Sequence, residues 1–359
     1  MIKSFIKVLI LLLILFLLII GYLSYFGITT TKFNSIIKNQ IKNQNSDLDI
    51  DLKKVKLHLD LKNISIKIKT KNPKIILNNS INIELDEISS NILISSYFQS
   101  KFALKNLSII SKNNKINNYI NFYKYFDNSI QIILLNQFFK RGIAQISIDL
   151  NFDESGKIKN NFNLKGKILN AEIRTFKNKN IKDLSLNFSV KNKNYILEKI
   201  LFKFNEVNFT SELLSIQEKK DKFFVKGNLK NKKNKISSDL ILLIFNNNPD
   251  IFDFSNTKFD STSEFSFNLS KKFKITNLKF DSKLNLDKLI LKYNKYKIKN
   301  YIKNYNKLIN LKESKFHIRY SENIISINGS SDFYIEENFK NSMKFQIKQN
   351  KNKLIFDTF

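Results

Sequence analysis

The sequence predicts an all-β, mainly antiparallel body behind a single N-terminal transmembrane helix. Three observations carry this reading: an uncharged apolar run near the start, hydrophobic residues recurring at every second position through most of the chain, and polar turn-forming clusters between those runs.

The apolar run comes first. From Val8 to Thr31 no residue is charged, and Val8–Ile20 is almost wholly Leu, Ile and Phe. With its continuation the run is long enough to cross the roughly 30 Å of bilayer hydrocarbon. Lys3 and Lys7 would suit a cleaved signal peptide, but no Ala-x-Ala-like site follows, so residues 1–31 read as a retained anchor. Tyr22, Tyr25 and Phe26 suit an interfacial belt at its far side. Lys32, Lys38 and Lys42 match the charge before the helix, yet long domains translocate regardless of such charges. The expected orientation places the N-terminus in the cytoplasm and the body outside it.

Residues 32–45 form the next segment, where Ile36, Ile37 and Ile41 at helical spacing predict a short amphipathic linker helix. From residue 46 to 359 the period becomes two. A first strand is expected over Leu48–Leu61, and the alternation of Val55, Leu57, Leu59 and Leu61 slips by one at Asn63 before Ile64, Ile66 and Ile68, a bulge or a tight turn. Ile146, Ile148, Leu150 and Phe152 run into Asp153-Glu154-Ser155-Gly156, and Ile158, Phe162, Leu164 and Ile168 run out, the clearest hairpin in the chain. Leu184, Leu186, Phe188 and Val190 lead to a further apolar run at Leu201–Phe209. Phe223, Val225 and Leu229 are expected to turn at Asn231–Asn234, and Phe265, Phe267 and Leu269 at Ser270-Lys271-Lys272. With 7 Gly and 2 Pro, most turns fall to Asn, Asp, Ser and Lys. Asn117–Phe139 and Tyr296–Leu311 are candidate helices, too short to cover such a sheet. The apolar faces therefore close as a sandwich or barrel, or line a curled groove or elongated sheet filled by something else; alternation fits both.

Residues that carry chemistry are sparse. With no Cys, disulfides, thiolate catalysis and Cys-ligated zinc are excluded. His58 and His317 sit on the polar phase of strands and read as solvated. Asp47, Asp49 and Asp51 copy the first ligand spacings of a calcium loop, but Leu52 and His58 stand where Gly and Glu are required. No phosphate-binding, nucleophile-elbow or metalloprotease motif occurs. The expectation is no enzyme, no cofactor and no metal.

The net charge of +30 comes from 61 Lys and Arg against 31 Asp and Glu, and only Arg141, Arg174 and Arg319 are arginines. Scattered lysines without a dense patch or interleaved aromatics argue against nucleic acid and for a solvated outer face that guards sheet edges and attracts anionic headgroups.

The anchor at Val8–Phe26 and the unit Leu59-Asp60-Leu61-Lys62-Asn63-Ile64-Ser65-Ile66 recur as features of a known pattern. That unit is echoed at Phe102-Ala103-Leu104-Lys105-Asn106-Leu107-Ser108-Ile109. Phe162-Asn163-Leu164-Lys165-Gly166-Lys167-Ile168 is echoed by Phe223-Phe224-Val225-Lys226-Gly227-Asn228-Leu229. In these features the chain resembles the AsmA-like family of the YhdP and TamB type, related to the bridge-like lipid-transfer proteins. The resemblance implies an inner-membrane-anchored, periplasmic β-groove in a bacterial envelope that carries phospholipid toward the outer membrane or supports its assembly. The bridging members are much longer than this chain. The implied partners are phospholipid or another acyl-chain lipid, the inner membrane, and envelope proteins. Ile148, Leu150, Phe162, Leu164 and Leu186 are expected to line the groove, with Phe188, Val225, Leu229, Phe265 and Phe267. The competing expectation is a structural envelope scaffold with a closed β core.

Overall fold

The computed structural model describes residues 2–99, 103–174, 180–236, 252–254, 256–272, 274–292, 308–334, 340–350 and 354–358. Nineteen strands belong to one open antiparallel sheet, and two more pair in a short second ladder. The chain separates into two compact units, Met1–Ile168 with Ser189–Asn192, and Leu169–Phe188 with Lys193–Phe359.

The first unit begins with α1 (Ile2–Tyr25), in which Phe5–Tyr25 is long and apolar enough to span a membrane. Its 21 residues extend about 31 Å at the helical rise. The N–H groups of Phe26 and Gly27 close on the Tyr22 carbonyl at 2.8 and 3.2 Å, and Gly27 takes the left-handed position that ends many helices, φ 69°. A Cβ at Gly27 would collide with the Leu57 carbonyl, so the helix end is seated directly on the sheet.

The strands that follow are β1 (Ile28–Thr30), then, after α2 (Asn34–Gln44), β2 (Leu48–Asp51), β3 (Val55–Asp60), β4 (Ser65–Lys71), β5 (Lys74–Leu77) and β6 (Ile81–Leu93). The short helix α3 (Ile94–Phe98) leads to β7 (Leu104–Ser111) and β8 (Asn114–Lys115), and α4 (Ile116–Phe126) and α5 (Ile130–Phe138) to β9 (Phe139–Asn151). The main ladder runs β1–β3–β4–β6–β7–β9. The predicted first strand is in fact two strands. β2 leaves the main ladder to pair with β5, while β3 pairs with β1 and β4. Asn34 explains the break, because its side-chain amide donates to the Leu52 and Lys53 carbonyls between them and ties α2 to that corner. The slip at Asn63 is a tight turn: the Asp60 carboxylate accepts the Asn63 backbone N–H and its side-chain amide, reversing the chain at Leu61–Ile64. The expected helix near residues 117–139 is the pair α4 and α5, and the linker helix is α2.

The remaining strands are β10 (Asn163–Arg174), β11 (Asn180–Lys191), β12 (Asn194–Phe204), β13 (Val207–Lys219), β14 (Lys222–Lys235), β15 (Phe252–Asp253), β16 (Lys258–Ser270), β17 (Ile275–Lys292), β18 (Leu308–Ser321), β19 (Ile324–Tyr334), β20 (Lys340–Gln349) and β21 (Leu354–Thr358). In the second unit each of β12, β13, β14, β16, β17, β18, β19 and β20 pairs antiparallel with the next in this series, which ends at β21. Asn192-Lys193, Asn205-Glu206 and Glu322-Asn323 have positive φ at both positions, the two-residue geometry that suits the strand twist. One of these splits the expected run Leu201–Phe209 into β12 and β13. The expected turn at Asn231–Asn234 is instead a bulge within β14. Lys233 adopts φ 46°, the Asp260 carboxylate receives its N–H at 2.6 Å, and Asn231 donates to the Phe259 carbonyl, so the strand stays paired. Most of the candidate helix Tyr296–Leu311 lies outside the described residues, and its last residues, Leu308–Leu311, are strand.

Candidate functional site

Within each unit, period-two alternation carried across paired strands gives the sheet an apolar and a polar face. In the first unit the pairing aligns Ile28, Leu57, Ile68, Ser90, Leu107 and Leu150 in one row across six strands. The next row is Val55, Thr70, Ile88, Ile109 and Ile148. The intervening positions put Lys56, Lys69, Ser89, Ser108 and Asp149 on the other face, where Lys69 pairs with Glu87 at 2.5 Å and Ser108 donates to Asp149. Leu57, Ile68, Ile88, Leu107, Ile109, Ile148 and Leu150 are only half-buried. They touch their neighbours in the sheet without being enclosed.

The second unit repeats the arrangement. Leu197, Leu214, Gly227, Phe265, Phe280, Tyr320 and Ile325 form a row across seven strands, and Leu229, Ser263, Ser282, Ile318, Ile327 and Ile347 a second. At one end of this unit the face closes on itself: Val207, Phe254, Phe259, Leu286, Leu289 and Leu311 make a buried cluster against which Phe209, Phe316 and Met343 pack. β15, paired with the end of β17, brings Phe254 to that cluster. Beyond it most apolar members of these rows are half-buried, while Ser263 and Ser282 are buried and Ile325 is exposed.

The ten residues expected to line a groove divide between the units, Ile148, Leu150, Phe162 and Leu164 in the first and Leu186, Phe188, Val225, Leu229, Phe265 and Phe267 in the second. Ile148 and Leu150 fall in adjacent apolar rows. Val225 stands opposite Phe267, and the rings of Phe265 and Phe267 stack at 6.2 Å. Val225 and Leu186 are enclosed, at 5% and 9% exposure, and the other eight are half-buried.

Sequence reasoning missed a set of buried polar side chains within this apolar phase. Ser211, Asn231, Ser263, Ser282, Ser314 and Ser331 are all buried. The hydroxyls of Ser263 and Ser282 meet at 2.8 Å and those of Ser314 and Ser331 at 2.7 Å, while Ser261 donates to Asn231. The signal was present as serines standing where the alternation calls for an apolar residue, as in Phe259-x-Ser261-x-Ser263-x-Phe265.

On the polar face, Lys283, Lys315, Lys344, Asn328 and Gln346 line a recess of about 560 Å³. His317 at its wall is not simply solvated, since its Nε2 lies 2.9 Å from Asp281. His58 stays on the polar face opposite Lys67. Asp49 serves a structural pairing: burial raises its pKa, and the ammonium of Lys38, the Ile50 N–H and Lys42 more than reverse this, holding it below the ordinary 3.8. Among the described residues no cluster of His, Asp and Glu could hold a metal ion.

Comparison with family models, curated proteins and solved structures returns no match. The functional reading therefore rests on the helix, the open sheet and its two faces. What such a surface can do is hold long apolar chains along the rows while its lysine face stays in water.

Proposed function

We propose that the protein is a membrane-anchored lipid-binding and lipid-transfer protein of the bacterial envelope, AsmA-like in design. In this reading α1 sits in the inner membrane, the body lies in the periplasm, and acyl chains of phospholipid lie along the apolar face on their way toward the outer membrane. No residue performs covalent chemistry. The observation that supports this most is the set of apolar rows crossing five to seven strands with most members half-buried. A folded chain gains roughly 25 cal/mol for each Å² of apolar surface removed from water, so an apolar face of this extent favours an apolar ligand. The first row begins at Ile28, immediately after α1, which suits entry of lipid from the bilayer.

The buried cluster around Val207 and Leu311 favours a second reading, a structural scaffold whose core is closed and whose partners are proteins. A photo-crosslinking residue at Phe188, with Asn187 as the polar-phase control, separates the two. Lipid transfer requires phospholipid labelling at Phe188 and none at Asn187, and Phe188→Asp should abolish lipid capture while the body stays folded. If Phe188→Asp unfolds the body and no apolar position labels lipid, the scaffold reading replaces this one, because a charge in a closed core costs several kcal/mol.

A further inference from the structure

Among the described residues, 17 other than glycine have a positive φ, and 16 of them are Asn, Asp, Lys or Glu. The remaining one is Ile64, at φ 45°. A β-branched side chain is the least suited of all to that conformation. Packing does not explain the choice, since Ile64 is 62% exposed and Leu61, at the other end of the same turn, is 53% exposed. The turn is also stiff. Asp60 accepts both the backbone and side-chain N–H of Asn63, and the Ile64 carbonyl accepts the N–H of Ile94 at 3.2 Å. Two aliphatic side chains are thus held outward on a rigid tip, one of them against backbone preference.

Location supplies the reason. Gly27, the residue that ends the apolar helix, is seated on the Leu57 carbonyl, and Ile28 pairs with Leu57. Because β1 leads away from the helix and β3 is antiparallel to it, β3 runs back along the helix end, against which it packs. The tip begins four residues beyond Leu57, about 13 Å at the strand rise. Tyr22, Tyr25, Phe26 and Ile28 around that helix end are exposed as well. We propose that the β3–β4 turn is a second membrane contact, with Leu61 and Ile64 inserted into the interfacial layer of the bilayer that α1 spans. Lys62 between them is placed to reach headgroup phosphates. The contact fixes the tilt of the sheet, so that its first apolar rows open at the bilayer surface. This rests on α1 being membrane-spanning, and the test separates the two claims.

The chain contains no Cys, so one introduced thiol gives a unique probe site. Full-length protein carrying a polarity-sensitive fluorophore on Leu61→Cys, Ile64→Cys, Leu15→Cys or Asn323→Cys is reconstituted into vesicles of phosphatidylethanolamine and phosphatidylglycerol. Quenching by spin-labelled lipid should be about threefold stronger at positions 61 and 64 than at Asn323, as an interfacial depth of ~5–10 Å requires. Ile64→Asn should fold as well as the parent, since Asn suits the left-handed position, yet should lose lipid quenching of the probe on Leu61→Cys. Lipid quenching at position 15 with free access of aqueous iodide at 61 and 64 overturns the proposal and leaves the anchor intact. Iodide access at position 15 overturns the anchor itself. Protection of 61 and 64 from both quenchers assigns the tip to a protein partner and also overturns the proposal.

Discussion

The Phe345 ring occupies the space that a side chain on its cross-strand partner Gly329 would fill, and it meets Phe316 edge-on with ring centres 6.0 Å apart. Phe265 stands in the same relation to Gly227 four strands further back along the sheet. In both pairs an aromatic covers a strand glycine, a device that restores apolar contact where the backbone carries no side chain. Gly329→Val should therefore expel the Phe345 ring and destabilise the body by about 1–3 kcal/mol, as overpacking of a filled site does. The shift in denaturant midpoint measures it, and an unchanged midpoint would show that the ring has room to move.

The paired hydroxyls of Ser263 and Ser282 make a second local test. Ser282→Ala leaves the buried Ser263 hydroxyl without this partner and should cost roughly 1–3 kcal/mol. The double replacement by Ala removes both polar groups, so its cost should fall below the sum of the single ones. A double-mutant cycle with no coupling would contradict the pairing.

Thr70 lies in an apolar row between Val55 and Ile88, and its buried hydroxyl finds no partner among the described residues. Thr70→Val keeps the shape and removes a polar group held away from water, so it should raise stability by about 1 kcal/mol. Thermal unfolding of the variant would show a higher midpoint.

Acid should expose the Asp49 pairing. Its folded pKa lies below the ordinary 3.8, so its contribution is complete above that value and is lost as the pH falls through the lowered one. The stability difference between the parent and Asp49→Asn should be constant above about pH 5 and vanish on strong acidification. A difference that instead grows in acid would reverse the assignment of Lys38 and Lys42 as partners of the carboxylate.

Much of the apolar phase was legible from spacing. Period two in Val55–Leu59, Ile146–Leu150 and Phe265–Leu269 placed side chains on one face of their strands, because alternation depends only on strand geometry, whereas Leu61 falls in the exposed turn after β3. The helix was legible for a similar reason, since an uncharged run of Leu, Ile and Phe that long reads as helix from local composition alone. Where the chain turns was less legible. Asn231–Asn234 and Asn205-Glu206 look alike as polar interruptions, yet the first is a bulge and the second a hairpin. The Asp260 carboxylate, supplied by another strand, decides the first case, and no local pattern announces it.

The sequence by itself determined the long apolar N-terminal helix, the antiparallel β class and the sorting of side chains into apolar and lysine-rich faces, all consequences of local periodicity and composition. Only the tertiary structure decided which strands stand side by side, that β2 leaves the main ladder for β5, and that buried serines meet in hydroxyl pairs. It also decided that a buried cluster forms around Val207 and Leu311, while most members of the apolar rows are half-buried and some, such as Val55 and Val225, are buried. Those features depend on register between residues far apart in the chain, and alternation is the same whether an apolar face is covered or open.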